Sequence, residues 1–296
     1  MDEQGFIPVR SSIDASVNFA RKHPLGGLVE TRFVRRVEER FIVYLSTMNG
    51  CDKACRFCHL TQTGQTMSDL LSRDEILEQA DTVLGASDFS GAHTVHFNFM
   101  ARGEPLSNPV VGHELFAELG ARAARYGLKS RMKVSTIFPL DMKASEPGEL
   151  WREGTPPVDL YYSLYSLDPV WRRRWLPKAA DPQAAFEWLA RFQRETGNRV
   201  ILHWALIDGE NDDASAGLSI AYAAKASGLK FDYNLVRYNP ANGKSREAAS
   251  GRMDRYVEAM RQGIGETGRV KVIPRVGFDV AASCGMFLRE AEDAAA

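Results

Sequence analysis

The chain has 296 residues, 44% of them hydrophobic and 25% charged, which suits one large α/β domain or barrel with a sizeable core better than two small units. Lys+Arg (37) and Asp+Glu (38) nearly cancel, to a formal net charge of −1, so bulk charge makes no case for non-specific nucleic-acid binding and only a local basic patch can serve it. No apolar run reaches the roughly 18 residues of a membrane span, and the N-terminal MDEQGFIPVR lacks the apolar stretch of a secretory signal, so membrane and secretory roles are unsupported and the expected location is the cytoplasm.

Residues 1–30 read as a short N-terminal extension with a weak helix near Ile13–Lys22, and residues 31–296 as the main domain. Within that domain, short β-rich runs alternate with helical stretches, the signature of parallel strands joined by crossover helices. The expected strands are 41–46, 94–99, 130–135, 158–164, 199–207, 230–236 and 270–274, several of them nearly continuous apolar runs, as when both sheet faces are covered. Ser72 with Glu75 makes a capping-box pattern ahead of ILEQADTVL, and Asp181-Pro182 opens QAAFEWLARF with an acidic cap and a proline in the first turn. Six or seven β/α units build an α/β fold, a partial or full barrel, whose chemistry sits at the C-terminal ends of the strands by analogy with closed (β/α) barrels.

Directly after the first of these strands the segment GCDKACRFCHL sets Cys51, Cys55 and Cys58 in C-x3-C-x2-C spacing. Three of only four cysteines within eight residues do not resemble a secreted disulfide framework. Thiolates this close can bind three irons of one 4Fe–4S cubane and leave the fourth iron without a protein ligand. S-adenosylmethionine (SAM) can chelate that iron through its amino and carboxylate groups and receive an electron into its sulfonium. The competing zinc reading needs a fourth ligand, and the only offers are His59, adjacent to Cys58 and poorly spaced, or the distant Cys284.

A second signal follows the next strand, where Gly103-Glu104-Pro105 puts a glycine, a carboxylate and a proline at a strand end. The carboxylate can accept hydrogen bonds from a ligand ammonium, and the glycine admits close backbone approach. By itself such a triplet is an ordinary turn; some 45 residues after the cysteines it reads as a SAM contact. Arg172, Arg173 and Arg174, between Trp171 and Trp175, offer either phosphate contacts beside stacking surfaces or a solvated helix face.

With these blocks in this order, the chain resembles the radical SAM superfamily, and within it the class A methyltransferases of the RlmN/Cfr group. The resemblance runs from about Val29 to Phe287 through VETRFVRRVEERFIVYLSTMNGCDKACRFCHLTQTG, GEPLSNP, MKVSTIFP, LYYSLYSLDP, IDGENDD, NLVRYNP and FDVAASCGMF. It implies a partial (β/α)6 barrel over residues 31–296 with SAM in its mouth, and a low-potential electron donor such as flavodoxin or ferredoxin. SAM contacts carried over are Gly103, Glu104, Pro105, Ser135, Ser163 and Asn239, with Tyr165 standing where the family usually has histidine. It further implies that Cys284, in AASCG, accepts a methyl group from one SAM; the radical from a second SAM then abstracts a hydrogen from that methyl, and the carbon adds to an sp2 carbon of RNA adenine.

Two departures bear on function. The family's second catalytic cysteine lies seven residues before the first cluster cysteine, and Tyr44 occupies that place. A phenol, with a reference pKa near 10, is a poor base at neutral pH and cannot form the disulfide that releases the product. Only about 30 residues precede the matching region, where the RNA methyltransferases carry an accessory domain. The leading expectation is transfer of a methyl or methylene carbon through Cys284 to a nucleobase or nucleoside, with Tyr44 in the altered release step. Two readings stay open beside it: direct use of the 5′-deoxyadenosyl radical on a small molecule or DNA base, and an iron–sulfur sensor without catalysis.

Overall fold

Val95, Phe97 and Phe99 alternate with Thr94, His96 and Asn98 along one short run, and this period of two gives a strand with one face against helices and the other turned inward. A computed structural model describes residues 5–289; residues 1–4 and 290–296, the outer ends of the two expected segments, lie outside the described residues. Among the described residues, ten strands form one sheet in sequence order. The first four, β1 (Ile7–Arg10), β2 (Val17–Lys22), β3 (Leu28–Val37) and β4 (Arg40–Tyr44), pair antiparallel. From β4 onward, β5 (Thr94–Phe99), β6 (Lys129–Thr136), β7 (Val158–Tyr162), β8 (Arg199–Ala205), β9 (Phe231–Val236) and β10 (Val270–Ile273) each run parallel to the strand before.

Parallel neighbours need crossovers, and the helices supply them. They are α1 (His59–Gln62) with α2 (Arg73–Ala86), then α3 (His113–Arg125), α4 (Pro147–Leu150), α5 (Pro169–Trp175) with α6 (Pro182–Thr196), α7 (Ala214–Ala226) and α8 (Ser250–Ile264). β1 and β10 do not pair with each other, so six β/α units and a final strand make a partial barrel open on one side. Both sequence-read helix starts hold: the Ser72 N–H donates to Glu75 Oε2 at 2.9 Å while Ser72 Oγ accepts from the Glu75 N–H, and Asp181 Oδ1 accepts from the N–H groups of Gln183 and Ala184.

The expected helix near Ile13–Lys22 is not formed; Val17–Lys22 is strand β2, registered against β3 from Val17↔Phe33 to Lys22↔Leu28. Val17, Asn18, Phe19 and Ala20 are all buried, so the segment is covered on two sides and carries no helical stripe. The preceding turn is tied to the far end of the chain: Asp279 accepts from Ser11 and Ser12, and Asp14 from the Gly277 N–H at 2.7 Å. The first strands and the C-terminal segment thus flank the barrel mouth together.

Candidate active site

Beyond Tyr44 the chain leaves β4 and turns through the three cysteines at the C-terminal ends of the parallel strands. The loop is fixed from several sides. Buried Lys53 binds Asp52 at 2.9 Å and Asp141 at 2.8 Å, Lys178 reaches Asp52 at 3.0 Å, Phe57 stacks on Tyr165 at 4.0 Å, and Cys58 is the N-cap of α1. Cys51, Cys55 and Cys58 line one cavity of about 150 Å³ together with Gly103, Glu104, Ser135, Ser163, Tyr165, Asn239 and Cys284. Residues far apart in sequence, from loops that follow several parallel strands and from the C-terminal segment, therefore meet where the barrel analogy puts chemistry.

Two predicted residues stand apart from that lining. Pro105 is buried and starts the 3-10 turn Pro105–Ser107, so its contribution is to aim Glu104 rather than to face the cavity. Tyr44 ends β4 and lies under the Arg32 guanidinium, 6.0 Å from its ring, and does not share the cavity with Cys284.

Glu104 is 5% exposed and its carboxylate accepts from the Leu106 N–H at 3.1 Å and the Ile137 N–H at 3.0 Å. Burial outweighs these bonds and pushes its carboxyl up to about 7. Gly103 has φ +95°, and a Cβ there would come within 2.6 Å of Thr47 Oγ1 and 2.8 Å of Met48 Cγ, so no other residue fits the turn without displacing its neighbours. Ser135 and Ser163 face each other across adjacent strands with 3.5 Å between their hydroxyl oxygens. Tyr165, at φ +63°, is the middle of an aromatic ladder from Phe57 to Trp171 and Trp175, so it buttresses the cysteine loop.

Cys284 opens onto the cavity, where the surrounding protein pushes its thiol up while Arg32 and Arg36 pull the other way. Its segment is held by Asn239, whose Nδ2 donates to the Cys284 carbonyl at 2.9 Å, while Asn239 Oδ1 accepts from Arg275 Nε at 2.7 Å. Asn239 thus has its amide committed to placing Cys284. A buried network holds the same segment from below. Arg102 Nε donates to Glu30 Oε2 at 2.7 Å and Arg102 Nη2 to the Leu288 carbonyl at 2.6 Å, the Leu288 N–H donates to Glu30 Oε1 at 3.0 Å, and Arg32 Nη2 donates to the Met286 carbonyl at 2.7 Å. These residues were not singled out by sequence reading. Their signal is the alternation of Glu30 and Arg32 inside an otherwise buried strand, which puts both charges on one face.

No protein-family model matches the chain. A relative named "Probable dual-specificity RNA methyltransferase RlmN" from Frankia alni is 33% identical over 281 residues, covering 90% of this chain and 62% of the relative. Another of that name, from a Parafrankia species, is 33% identical and covers 86% of this chain and 67% of the relative. The chain belongs to the RlmN/Cfr group of radical SAM proteins. It spans less than two thirds of the length of the Frankia relative. A radical SAM methyltransferase structure from Sphaerobacter thermophilus shares the fold, with a TM-score of 0.70 at 22% identity over 95% of this chain and 81% of the other.

The RlmN/Cfr group uses a 4Fe–4S cluster and SAM, and the donor set here fits the cluster. Burial pushes the Cys51 thiol up to about 12, that of Cys58 to about 11 and that of Cys55 well above its ordinary range, with repulsion from the neighbouring cluster cysteines adding to it at Cys51 and Cys55. Three thiolates crowded into such a site require compensating positive charge, which cluster iron provides. Among the described residues no three His, Cys, Asp or Glu side chains gather as ligands of a single ion.

The arginine run sorts differently from its pattern. Arg172 is 6% exposed and donates to the Leu164 and Ala180 carbonyls, Arg174 pairs with Glu210, and only Arg173 is a plainly solvated cation. Phosphate contact by Arg172 is therefore replaced by a structural role, because the guanidinium saturates backbone carbonyls at both ends of the α5 segment. Among the described residues no helix is long and apolar enough to cross a membrane.

Proposed function

We propose that this protein is a radical SAM methyltransferase that delivers a SAM-derived carbon through Cys284 to an sp2 carbon of a nucleobase, in RNA or a nucleotide unit, working in the cytoplasm with a flavodoxin- or ferredoxin-type electron donor. The observation that carries this reading is the placement of Cys284: it opens onto the same cavity as Cys51, Cys55, Cys58 and Glu104, on a segment pinned by Asn239 and Arg102. When bound, the cluster and SAM supply reductive C–S cleavage and an electrophilic methyl group.

The chain's own residues divide the remaining work. Cys51, Cys55 and Cys58 hold the iron, while Glu104 offers an acceptor for the methionyl ammonium at a turn that Gly103 keeps open. Ser135 and Ser163 present hydroxyls from neighbouring strands to the opposite side of the ligand. Cys284 presents its sulfur as the methyl acceptor; desolvation pushes its thiol up, and Arg32 and Arg36 offset part of that rise. Tyr44 is positioned to support Arg32 from beneath, and it stands where the family has the second cysteine whose disulfide takes up the Cys284 sulfur and frees the product.

That last point favours a second reading, in which the deoxyadenosyl radical acts directly on the substrate. Anaerobic turnover with SAM and dithionite separates the two. Formation of 5′-deoxyadenosine together with S-adenosylhomocysteine, and a methyl group on the Cys284 peptide by mass spectrometry, is the expected result. Deoxyadenosine without S-adenosylhomocysteine, and full product formation by Cys284→Ala, would establish direct radical chemistry instead.

A further inference from the structure

Below the SAM cavity, toward the N-terminal ends of the parallel strands, the barrel lumen holds a second cavity of about 400 Å³. Seven lysine and arginine side chains line it against two carboxylates. Asp159 is taken by Arg131 at 2.8 Å, and Asp232 by Arg199 at 2.6 Å and Arg269 at 3.3 Å. Arg36, Arg40, Lys133 and Lys271 have no carboxylate partner among the described residues. In a chain of net charge −1 this is a local concentration of positive charge, not a reflection of bulk composition.

Lys133 lies deepest. It is two residues before Ser135 on β6, about 7 Å down the strand from the SAM cavity. Its ammonium stands 5.5 Å over the Tyr161 ring, and Tyr161 meets His203 edge-on at 5.3 Å. Tyr161 faces the lumen and His203 the SAM cavity, so this pair is the wall the two cavities share. On either side of the wall a buried imidazole leaves Nδ1 without a partner, His96 in the lumen and His203 at the mouth. The desolvated Lys133 ammonium and the buried Nδ1 of His96 are costly without a partner, and the exposed Arg36, Arg40 and Lys271 add positive charge around the opening, so the lumen is arranged for an anion.

We propose that the lumen binds the phosphate of a 5′-phosphorylated nucleotide unit, on the side of the Tyr161–His203 wall away from the SAM cavity. A single carboxylate is satisfied by one arginine; four unpaired cations around one space call for an anion with more charge and more acceptor oxygens, as a phosphate has. The phosphate assignment stands on the lumen alone, whereas the nucleobase part rests on the function proposed above. Burial pulls the Lys133 ammonium down to about 8, so at neutral pH it is charged, desolvated and available.

Calorimetric titration of the reconstituted full chain, with SAM saturating so that adenine does not enter the SAM site, tests this with adenosine 5′-monophosphate, adenosine and a short single-stranded oligoribonucleotide. The monophosphate is expected to bind at least tenfold more tightly than adenosine and to weaken steeply with added salt. Lys133→Met should lose at least tenfold for the monophosphate while binding SAM normally, and should unfold at no lower temperature than wild type because it removes a buried charge. Lys271→Gln, on the exposed edge strand, should lose less. Lys133-dependent binding of the oligoribonucleotide in preference to the monophosphate would support the site and assign its phosphate to an RNA chain. Equal affinity for adenosine and its monophosphate, or monophosphate binding untouched in both variants, overturns the proposal. Absence of SAM cleavage with Lys133-dependent phosphate binding intact would instead sink the methyltransferase reading alone.

Discussion

Glu104 accepts two backbone N–H bonds and is still held near pKa 7, which makes its charge responsive to a ligand. A methionyl ammonium at this carboxylate favours the ionised form, so SAM affinity should fall as pH drops below about 7, approaching tenfold per pH unit once the free site is mostly protonated. Titration of SAM into cluster-replete protein at pH 6, 7 and 8 measures this. Glu104→Ala is expected to bind SAM at least tenfold more weakly and without the pH dependence, its cluster absorption unchanged. A pH-dependent variant would place the titrating group elsewhere. The cysteines separate from this behaviour, since Cys51→Ala, Cys55→Ala or Cys58→Ala should lose the cluster itself, against about four irons and four sulfides per wild-type chain after reconstitution.

At the scale of elements, the C-terminal segment works only because the first strands hold it. Glu30 on β3 receives Arg102, Asn18 and the Leu288 N–H, and all three side chains are fully or almost fully buried. Removing Arg102 leaves the buried Glu30 carboxylate with Arg32 alone, at 3.7 Å, so the loss approaches the about 3–5 kcal/mol of a broken buried pair. Arg102→Ala should therefore lower stability by that order in urea unfolding, and limited proteolysis should cut the segment carrying Cys284 before the barrel yields. Unchanged protection of that segment would show that Asn239 and Arg275 suffice to hold it.

This same arrangement explains what could be read in the sequence and what could not. The seven parallel strands were legible because Phe97, Val134, Leu160 and Leu202 sit in runs whose apolar residues are the buried ones. β2 and β3 were not, since Asn18, Glu30, Thr31 and Arg32 are buried polar residues paired across the sheet, and hydrophobic periodicity has no term for a charge satisfied by a distant segment. The cysteine spacing and the Gly103-Glu104 turn were legible as local motifs, and these residues line one cavity. The support from Arg32 and Arg102, and the retreat of Tyr44 from the cavity, depend on long-range packing that no local spacing encodes.

Across the whole molecule, the open barrel keeps ionisable groups inside, and its stability should record their protonation. Burial, with help from Lys133, pulls both His96 and His203 down to about 3, so both are neutral in the folded chain at pH 7. Their unfolded values lie near 6.5, and a depressed folded value means the stabilisation is fully present above about 6.5 and is lost as pH falls through the interval toward 3. Glu104 works in the opposite direction: its folded value is raised to about 7, so its contribution is complete below about 4.5 and is lost as pH rises through 7. The raw stability curve of the metal-free protein therefore mixes opposing slopes, and a difference between variants is the cleaner observable. His203→Phe preserves the edge-on packing against Tyr161 and cannot be protonated. Relative to wild type it should gain on the order of 2 kcal/mol between pH 7.5 and pH 5, about 1.4 kcal/mol for each unit below 6.5, whatever its absolute effect at neutral pH. Urea unfolding at pH 7.5, 6 and 5 reads this difference directly. A wild-type-minus-variant gap that stays constant over that range would mean that His203 is solvated enough to titrate normally in the folded chain, and that the wall between the two cavities is looser than its ring contacts imply.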